Sequence, residues 1–406
     1  MRRMMKIVQV NAVFGSLSTG TVMWNIQKRC LDYGIDAYVA YALTDIPNER
    51  IINGYKIGNK LTEKWHALMS RVAGKQAYYN RFTTWLFLRW MDGIKPDVVH
   101  LHNLHSNYIH LNMLLKYLAK RDIATVITMH DCWFFTGGCF HYTNAGCNKW
   151  QFECGHCPKK KLDTPAYLCD ASSQILQDRK KYLKAIPRLY LVGCSKWIAD
   201  EARKSVLKDC NIRYIYNGFD LDVFKPTLTN LAQKLGIEGK HILLGPASKW
   251  LSIVNKEALD YFIESMPEDY VLVLFGAKEH NKYLTKNVLL YGYTSSREEM
   301  AQLYSTADVF VNCSREDTLS SLNLEAQACG TPVVTYEATG NKETVGAGCG
   351  FAVETGDAKA LFEATEQVLT RRKESYSTKC KEWVHENFDK QTNYENYIRL
   401  YREIAD

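Results

Sequence analysis

The stretch SREDTLSSLNLEAQACGTP, residues 314–332, places three acidic residues around a short serine-containing turn. Apolar, β-type runs precede it (ADVFVN, 307–312) and follow it (PVVTY, 332–336). The pattern predicts a helix that begins at Ser320 or Ser321 with a hydroxyl N-cap and stops at Gly330. Because the first amides of a helix attract anions, we expect a phosphate site at the end of the preceding strand.

Glu325 lies about one turn inside this predicted helix. A carboxylate suits the vicinal hydroxyls of a sugar because it carries two acceptor oxygens and no donor. A phosphate at the helix start and a ribose at Glu325 together describe a nucleotide. An ordinary surface glutamate is the alternative, and spacing alone does not decide between the two.

The same alternation of apolar runs and mixed-charge, helix-like segments extends along the chain. Further β-type runs lie at residues 6–10, 97–101, 124–129, 189–194, 213–216, 241–244, 270–275 and 288–291. Such alternation predicts an α/β protein with parallel sheets and helices on both faces. Ligands of these sheets bind beyond the carboxyl ends of the strands, so the loops there are where site residues are expected.

A length of 406 residues predicts two domains. The turn-rich link YNGFDLDVFKP (216–226) lies near their boundary. We expect an N-terminal domain over 1–212, a second domain over 213–385 and a C-terminal helix over 386–406. No apolar run approaches the roughly 20 residues of a membrane span. The N-terminus reads as a strand rather than an export signal, so the thirteen cysteines are expected to be reduced in the cytoplasm.

The pattern of Asp317, seven residues, Glu325 and then AQACGTPVV resembles the signature of retaining glycosyltransferases of family 4. The family usually has glutamate in the first place. An aspartate there resembles the subgroup similar to colanic acid and capsular polysaccharide glycosyltransferases. NGFD (217–220) and LYSTADVFVNCS (303–314) also match family segments. The resemblance implies the GT-B fold, in which two Rossmann-like, doubly wound parallel-sheet domains face each other across a cleft. It also implies that the N-terminal domain lies on the acceptor side, that the second domain binds the nucleotide sugar, and that the C-terminal helix packs back on the N-terminal domain.

The resemblance also implies roles for single residues. The first acid, Glu316 or Asp317 here, would contact the donor sugar, and Glu325 the ribose. The donor diphosphate and base would be bound by Gly20, Lys249, Lys256, Thr294, Ser320, Ser321 and Leu322. Gly20 is expected in a phosphate-binding loop between the first strand and a helix that starts near Thr21. Lys256 is expected to open a helix.

Two further positions follow strands of the first half. His130 ends the run 124–129, where a histidine could donate a hydrogen bond to a sugar hydroxyl or to developing phosphate charge. In the family a histidine at this place contacts the donor sugar. His102 and Asn103 end the preceding strand and are expected to border the acceptor.

The implied reaction moves a sugar from a UDP- or GDP-sugar to a glycan or lipid-linked saccharide acceptor in surface polysaccharide biosynthesis. It proceeds with retention and requires no bound metal ion. Two alternatives stay open, a GT-B-like nucleotide-sugar epimerase and a non-catalytic nucleotide- or glycan-binding module. Fold alone does not separate them.

Four cysteines cluster in an insertion at about 132–158, namely Cys139, Cys147, Cys154 and Cys157. Thiols in this number suit tetrahedral structural zinc. A set of free thiols and a disulfide-stapled insertion are the alternatives.

Residues 55–95 carry a local net charge of +6 and eight interleaved aromatic residues. This mixture is typical of a surface helix that meets anionic lipid or a phosphorylated partner. We therefore expect peripheral contact with the inner face of a membrane, with a solvated basic face as the alternative. Nucleic acid is disfavoured because no recognition motif accompanies the charge.

Overall fold

The computed structural model describes residues 3–163 and 165–405. The chain divides into two compact units. The first runs up to Asn217 and also includes the segment from Gln391 onward, and the second spans Gly218–Lys390. Within the described residues, no helix has both the length and the apolar composition that a membrane crossing needs.

The first unit contains a seven-stranded sheet with every pairing parallel. Its strands are β1 (Lys6–Phe14), β2 (Asp36–Thr44), β3 (Gly54–Lys56), β4 (Val98–Leu101), β5 (Ala124–Met129), β6 (Leu189–Gly193) and β7 (Asn211–Tyr214). Their order in the sheet is β3-β2-β1-β4-β5-β6-β7. The helices that follow these strands are α1 (Leu17–Asp32), α2 (Lys60–Ala73), α3 (Arg81–Ile94), α4 (Leu111–Arg121), α5 (Ser172–Leu183) and α6 (Lys196–Lys204).

The second unit contains another seven-stranded sheet, parallel except for one antiparallel hairpin. Its strands are β8 (His241–Pro246), β9 (Tyr270–Phe275), β10 (Lys282–Thr285), β11 (Val288–Tyr291), β12 (Val309–Asn312), β13 (Val333–Tyr336) and β14 (Gly350–Val353). Their order is β10-β11-β9-β8-β12-β13-β14. The helices are α7 (Leu231–Lys234), α8 (Ala247–Trp250), α9 (Lys256–Ser265), α10 (Arg297–Thr306), α11 (Ser321–Ala328), α12 (Ala358–Arg371) and α13 (Glu374–Phe388).

Both strand orders reverse direction once, between β1 and β4 in the first sheet and between β8 and β12 in the second. Loops that leave the carboxyl ends of two such strands diverge, and this opens a crevice in which doubly wound proteins bind ligands. The prediction of two doubly wound α/β domains is confirmed, and each sheet has its own point at which a site is expected.

The last helix, α14 (Lys390–Ala405), packs into the core of the first unit. Its tyrosines Tyr394, Tyr397 and Tyr401 are buried there with Val98 and Val126 of the central strands. The helix predicted over 386–406 is thus divided in the structure, because α13 ends at Phe388 and α14 begins two residues later.

Several boundaries differ from the sequence-based expectation. Strand β7 pairs with β6, so residues 213–217 lie with the first unit although the predicted boundary was at residue 212. β1 continues to Phe14, and α1 begins at Leu17 rather than near Thr21. The connection between them is therefore a tight turn, in which Gly15 has a φ of +76°.

Candidate functional site

A network of buried amides holds the loop that follows β12. Asn312 Nδ2 donates to Ser320 Oγ at 3.2 Å and to Asn323 Oδ1 at 2.9 Å. Asn323 Nδ2 in turn donates to Thr344 Oγ1 at 2.8 Å. These buried bonds fix the start of α11 against the carboxyl end of β12, so the first turn of this helix is held in place without a ligand.

The segment 339–344 lies directly against this loop. The Gly340 amide donates to the Asp317 carbonyl oxygen at 2.9 Å, and Asn341 Nδ2 donates to the Ser314 carbonyl oxygen at 3.0 Å. A Cβ atom at Gly340 would lie 1.8 Å from the Thr318 carbonyl oxygen. Only glycine allows this close approach of two backbones.

Helix α11 begins at Ser321 with Ser320 as its N-cap, as the sequence predicted. The Ser320 side chain is buried on Asn312 and makes no capping hydrogen bond, so it does not occupy the amides of the first turn. Ser321 and Leu322 are half-buried and lie at the helix start. This arrangement suits an anion bound by backbone amides.

The two acids ahead of α11 are both half-buried. Asp317 Oδ1 accepts the Leu319 amide at 3.2 Å, so this carboxylate shapes the loop. The carbonyl oxygen of Glu316 accepts the Ser314 hydroxyl at 3.0 Å.

Glu325 lies on α11 with its carboxylate next to Tyr304 of α10. Tyr304 Oη donates to Glu325 Oε2 at 3.2 Å. Burial raises the pKa of Glu325 to about 7, and the hydrogen bond from Tyr304 only partly opposes this rise. A carboxyl group tuned to neutral pH and placed at a sheet edge is a recognised indicator of a functional site.

Two cationic residues, Lys249 and Arg315, lie near Cys313 beyond β8 and β12. Burial raises the pKa of the Cys313 thiol to about 12, and the nearby charges of Lys249 and Arg315 oppose the rise. Asn255 ties both segments together, because its Oδ1 accepts Arg315 Nε at 3.0 Å and its Nδ2 donates to the Lys249 carbonyl oxygen at 3.0 Å. Sequence reasoning missed Arg315, although it stands inside the stretch 314–332.

Lys256 opens α9 as predicted, but its side chain is exposed and forms an ion pair with Asp260 on the same helix. Thr294 is half-buried just after β11, and Tyr293 beside it is 80% exposed. The Gly292 amide before them donates to His280 Nδ1 at 3.0 Å.

In the first unit, His102 follows β4 and His130 follows β5. His102 Nδ1 lies 3.1 Å from His130 Nε2, and His102 Nε2 lies 3.2 Å from Gln9 Oε1. His102 is fully buried with both ring nitrogens occupied, so the expected direct contact with an acceptor does not fit its placement. Asn103 is half-buried at the same edge.

Gly20 also lies elsewhere than expected, inside α1 rather than in a phosphate-binding loop. A Cβ atom there would lie 3.1 Å from the Val13 carbonyl oxygen, tighter than most real contacts. Close packing of the helix on β1 accounts for glycine at this position.

The insertion after β5 consists of short 3-10 turns and loops. The four predicted cysteines line one small pocket together with Trp150 and Ser172, and their thiols are unpaired with one another. Residues 3–163 and 165–405 contain no group of three or more His, Cys, Asp or Glu side chains arranged to hold a metal ion.

Two family models match the chain. Glycosyltransferase Family 4 matches residues 62–223, and Glycosyl transferases group 1 matches residues 252–384. The second match contains α9, the loop after β12 and α11, which are the elements that form the candidate site of the second unit.

The chain is also similar to individual relatives and solved structures. The putative colanic acid biosynthesis glycosyl transferase WcaC of Escherichia coli K12 is 21% identical over 98% of this chain and 100% of its own length. Sucrose-phosphate synthase from Thermosynechococcus elongatus has a similar structure, with a TM-score of 0.69, 17% identity and coverage of 98% of this chain and 99% of that one. Anabaena HepE in complex with UDP follows with a TM-score of 0.65 and 14% identity over 98% of this chain and 100% of that one.

Proposed function

Because this chain belongs to glycosyltransferase family 4 and has the GT-B fold, we propose that it transfers a sugar from a UDP- or GDP-sugar with retention at the anomeric carbon. The acceptor is a glycan or a lipid-linked saccharide in surface polysaccharide biosynthesis. The full-length similarity to WcaC, a putative colanic acid biosynthesis enzyme, supports this choice of pathway class.

The observation that carries the proposal is the arrangement at the edge of β8 and β12. The start of α11 supplies backbone amides, and Lys249 of α8 and Arg315 of the loop after β12 supply positive charge. A diphosphate matches this combination because fixed dipoles and cations stabilise its negative charge. Glu325 lies one turn along α11, where a ribose diol attached to that diphosphate would meet a carboxylate.

In the proposed reaction the same groups stabilise the leaving diphosphate, and Lys256 adds a more exposed charge at the start of α9. The acceptor hydroxyl attacks the face that the diphosphate leaves, and a diphosphate oxygen takes its proton. Glu316 or Asp317 contacts the donor sugar, and Thr294 with its neighbours contacts the base. Protein charges supply the neutralisation, so no bound metal ion is required for transfer.

A thermal-shift panel of UDP-, GDP- and ADP-sugars tests the donor site. One base should stabilise the wild-type chain in proportion to RT ln(1 + [L]/Kd). Lys249→Ala and Arg315→Ala should lose most of this shift, and Lys256→Ala a smaller part. Lys359→Ala is the matched control, since Lys359 pairs with Glu363 on the surface of α12. Equal shifts in all five proteins would contradict the assigned site.

Two other functions make different predictions. An epimerase would convert a nucleotide sugar in the absence of any acceptor, which product analysis detects. A binding module would retain nucleotide affinity without producing any glycoside. Transfer that disappears in Glu325→Ala, assayed at saturating donor, would exclude both.

We also propose that helices α2 and α3 contact an anionic membrane surface, which would hold the enzyme at the cytoplasmic face. Leu61, Trp65 and Leu68 of α2 are 78%, 58% and 54% exposed, and their spacing places them along one side of the helix. Phe82 and Trp85 of α3 are 69% and 48% exposed. The basic residues on the two helices are Lys60, Lys64, Arg71, Arg81 and Arg89. Exposed apolar side chains among cations match the acyl boundary and the phosphate layer of a bilayer.

Sedimentation with vesicles tests this surface. The chain should sediment with phosphatidylglycerol vesicles at low salt, less at high salt, and poorly with phosphatidylcholine alone. A triple change, Leu61→Ser with Trp65→Ser and Leu68→Ser, should reduce sedimentation strongly. Leu228→Ser, which alters a fully exposed leucine of the second unit, should have no effect. Absence of wild-type sedimentation would contradict the proposal.

For the cysteine pocket we propose a structural zinc ion held by Cys139, Cys147, Cys154 and Cys157. The four thiols line one pocket. Burial raises the pKa of the Cys154 thiol to about 11 and also raises that of Cys157, and backbone hydrogen bonds from Gly137 and Lys159 only partly oppose the rise. Ionisation of these thiols at neutral pH would therefore be coupled to binding of the ion. Binding would draw the four sulfurs together around the ion.

Elemental analysis should give one zinc per chain, and Cys154→Ser with Cys157→Ser should remove it. Cys169→Ser, at an exposed thiol outside the set, is the control. Zinc-free protein that contains a disulfide by mass spectrometry would favour the stapled alternative.

A further inference from the structure

Three polar side chains are linked by hydrogen bonds across the central strands of the first sheet. Gln9 projects from β1, His102 follows β4 and His130 follows β5, which are three adjacent strands. Gln9 and His102 are fully buried, and His130 is half-buried at the outer end. These three linked side chains therefore extend from the core to the carboxyl edge of the sheet, where ligands of such sheets bind.

The direction of each hydrogen bond follows from the direction of the preceding hydrogen bond. Gln9 Nε2 donates to the Met23 carbonyl oxygen at 3.2 Å, and the reversed amide would set two acceptor oxygens against each other. Gln9 Oε1 thus faces His102 Nε2 at 3.2 Å, and this nitrogen must carry the proton. In a neutral ring His102 Nδ1 is then an acceptor, so His130 Nε2, 3.1 Å away, is the donor.

Both histidines are neutral near pH 7. Burial lowers the pKa of His102 well below its ordinary value and that of His130 to about 4. His100, in ring contact with His102, adds no charge because burial lowers its pKa too. His105 Nε2 contacts Asp131 Oδ2 at 3.1 Å, and the Asp131 charge beside His130 only partly opposes the lowering of the His130 pKa.

With its proton on Nε2, His130 keeps a lone pair on Nδ1. No group among residues 3–163 and 165–405 forms a hydrogen bond with that nitrogen. A ligand that meets His130 Nδ1 must therefore donate the hydrogen bond, and a sugar hydroxyl is a donor of this kind. The sequence predicted the reverse direction for this hydrogen bond, with His130 as the donor.

We propose that Gln9 and His102 are positioning residues that fix His130 in its Nε2–H tautomer, so that His130 Nδ1 accepts a hydrogen bond from a substrate sugar hydroxyl. The proposal rests on the proposed function for the nature of the ligand but not for the tautomer. It makes His130 a specificity residue that favours a sugar with a free hydroxyl over the corresponding deoxy sugar.

The tautomer is tested in the ligand-free wild-type chain by long-range ¹H–¹⁵N NMR of the histidine side chains, with His130→Gln used to assign the signals. We expect a protonated Nε2 and an unprotonated Nδ1 in His130 at pH 7. A protonated Nδ1 overturns the proposal whether or not the chain transfers sugars. The expected tautomer together with no transfer from any nucleotide sugar would contradict the proposed function instead.

Substitutions at Gln9 test the positioning role. Gln9→Met keeps the size of the side chain and removes the acceptor. Gln9→Glu is buried, and in its protonated form the carboxyl group still donates to the Met23 carbonyl oxygen and presents an acceptor oxygen to His102. In Gln9→Met we expect a mixture of His130 tautomers and a loss of roughly tenfold in kcat/KM, as for one lost hydrogen bond. Gln9→Glu should retain the Nε2–H tautomer and most of the activity. An unchanged His130 spectrum in a folded Gln9→Met chain would show that Gln9 does not fix the tautomer.

Deoxy analogues identify the hydroxyl and its source. The donor found in the nucleotide-sugar panel is compared with its monodeoxy forms, and the acceptor with its own. We expect one analogue to lose about tenfold in kcat/KM with the wild type and much less with Gln9→Met. A donor analogue assigns the hydroxyl to the donor sugar, and an acceptor analogue to the acceptor. Equal losses in both enzymes for every analogue would contradict the contact.

Discussion

Binding of the proposed donor to the second unit depends on the ionisation of the Glu325 carboxyl group. Burial beside Tyr304 raises its pKa to about 7, so the free protein holds the carboxyl protonated in mildly acidic solution. A ribose diol donates hydrogen bonds, and the ionised form accepts them best. Donor binding should therefore be accompanied by proton release below about pH 7.

We expect the Kd of the cognate nucleotide sugar to be constant above about pH 8 and to rise about tenfold per pH unit well below pH 7. Isothermal titration calorimetry measures this directly, and the diphosphate diester of a nucleotide sugar does not titrate in that range. Glu325→Gln, which cannot ionise, should bind more weakly at pH 8 and show little pH dependence. A wild-type Kd that does not change between pH 5.5 and 8.5 would contradict the role of Glu325.

Gly340 supports the loop that carries Glu316 and Asp317. In Gly340→Ala the new methyl group would overlap the Thr318 carbonyl oxygen, 1.8 Å from the Cβ position. We expect a loss of about 1–3 kcal/mol in the free energy of unfolding, as for overpacked sites, together with weaker donor binding. Urea denaturation measures the first effect and calorimetry the second.

Gly93→Ala is the matched control for this substitution. A Cβ atom at Gly93 in α3 meets no atom within 4 Å, so alanine there should be neutral or slightly stabilising. Equal effects of the two substitutions would show that the contact of Gly340 with the loop is unimportant.

At the scale of elements, α14 is attached to the first sheet through polar as well as apolar contacts. Tyr401 Oη lies 2.5 Å from His100 Nδ1, and Tyr397 Oη lies 2.8 Å from Thr128 Oγ1. Thr128 Oγ1 also lies 2.7 Å from His100 Nε2, so the helix completes a fully buried network. Buried polar networks are stable only when every member has a partner.

Tyr401→Phe should remove one member and leave His100 Nδ1 buried without a partner. We expect a loss of about 1–3 kcal/mol in the free energy of unfolding, the cost of an unsatisfied buried group. Tyr283→Phe, at a half-exposed tyrosine on β10, is the control and should be neutral. A Tyr401→Phe chain as stable as the wild type would indicate that packing alone holds α14.

The elements that sequence patterns predicted best are the fully buried parallel strands. β5, β9 and β11 have the predicted bounds, because their apolar runs face helices on both sides. β3, β10 and β14 were not predicted, since all three lie at sheet edges and their side chains are partly or fully exposed. β2 was also not predicted, although it is largely buried inside the sheet. β7, also an edge strand, was assigned to the wrong unit because its pairing with β6 depends on contacts that no local pattern records.

Sequence patterns also predicted only part of the candidate site. The start of α11 and the placement of Glu325 follow from local signals, namely the serine pair, the glycine stop and one helical turn. The proximity of Lys249 and Arg315 does not follow from local signals, because it depends on the Asn255 side chain, which bonds both to the Lys249 carbonyl oxygen in α8 and to Arg315, 60 residues away. Sequence patterns also did not predict the burial of His102, since a histidine that ends a strand can equally lie inside the sheet core.

At the scale of the whole molecule, each unit supplies a different part of the proposed chemistry. The second unit has the amides, cations and carboxyl group that suit a nucleotide diphosphate, and the first unit has the histidine chain that suits a sugar hydroxyl. The basic and apolar surface of α2 and α3 also belongs to the first unit. An acceptor attached to a membrane lipid would be consistent with this placement.

The stereochemistry of the product tests the reaction as a whole. In the proposed reaction the acceptor hydroxyl attacks the face from which the diphosphate departs, and an oxygen of that diphosphate removes its proton. Transfer from an α-linked nucleotide sugar should therefore yield an α-linked glycoside, which the one-bond ¹³C–¹H coupling at the anomeric carbon reports. EDTA in the assay should leave the initial rate unchanged, since Lys249, Arg315 and the amides of α11 balance the diphosphate charge. A β-linked product would require in-line displacement with a protein base that removes the acceptor proton, and would contradict the proposed retaining reaction.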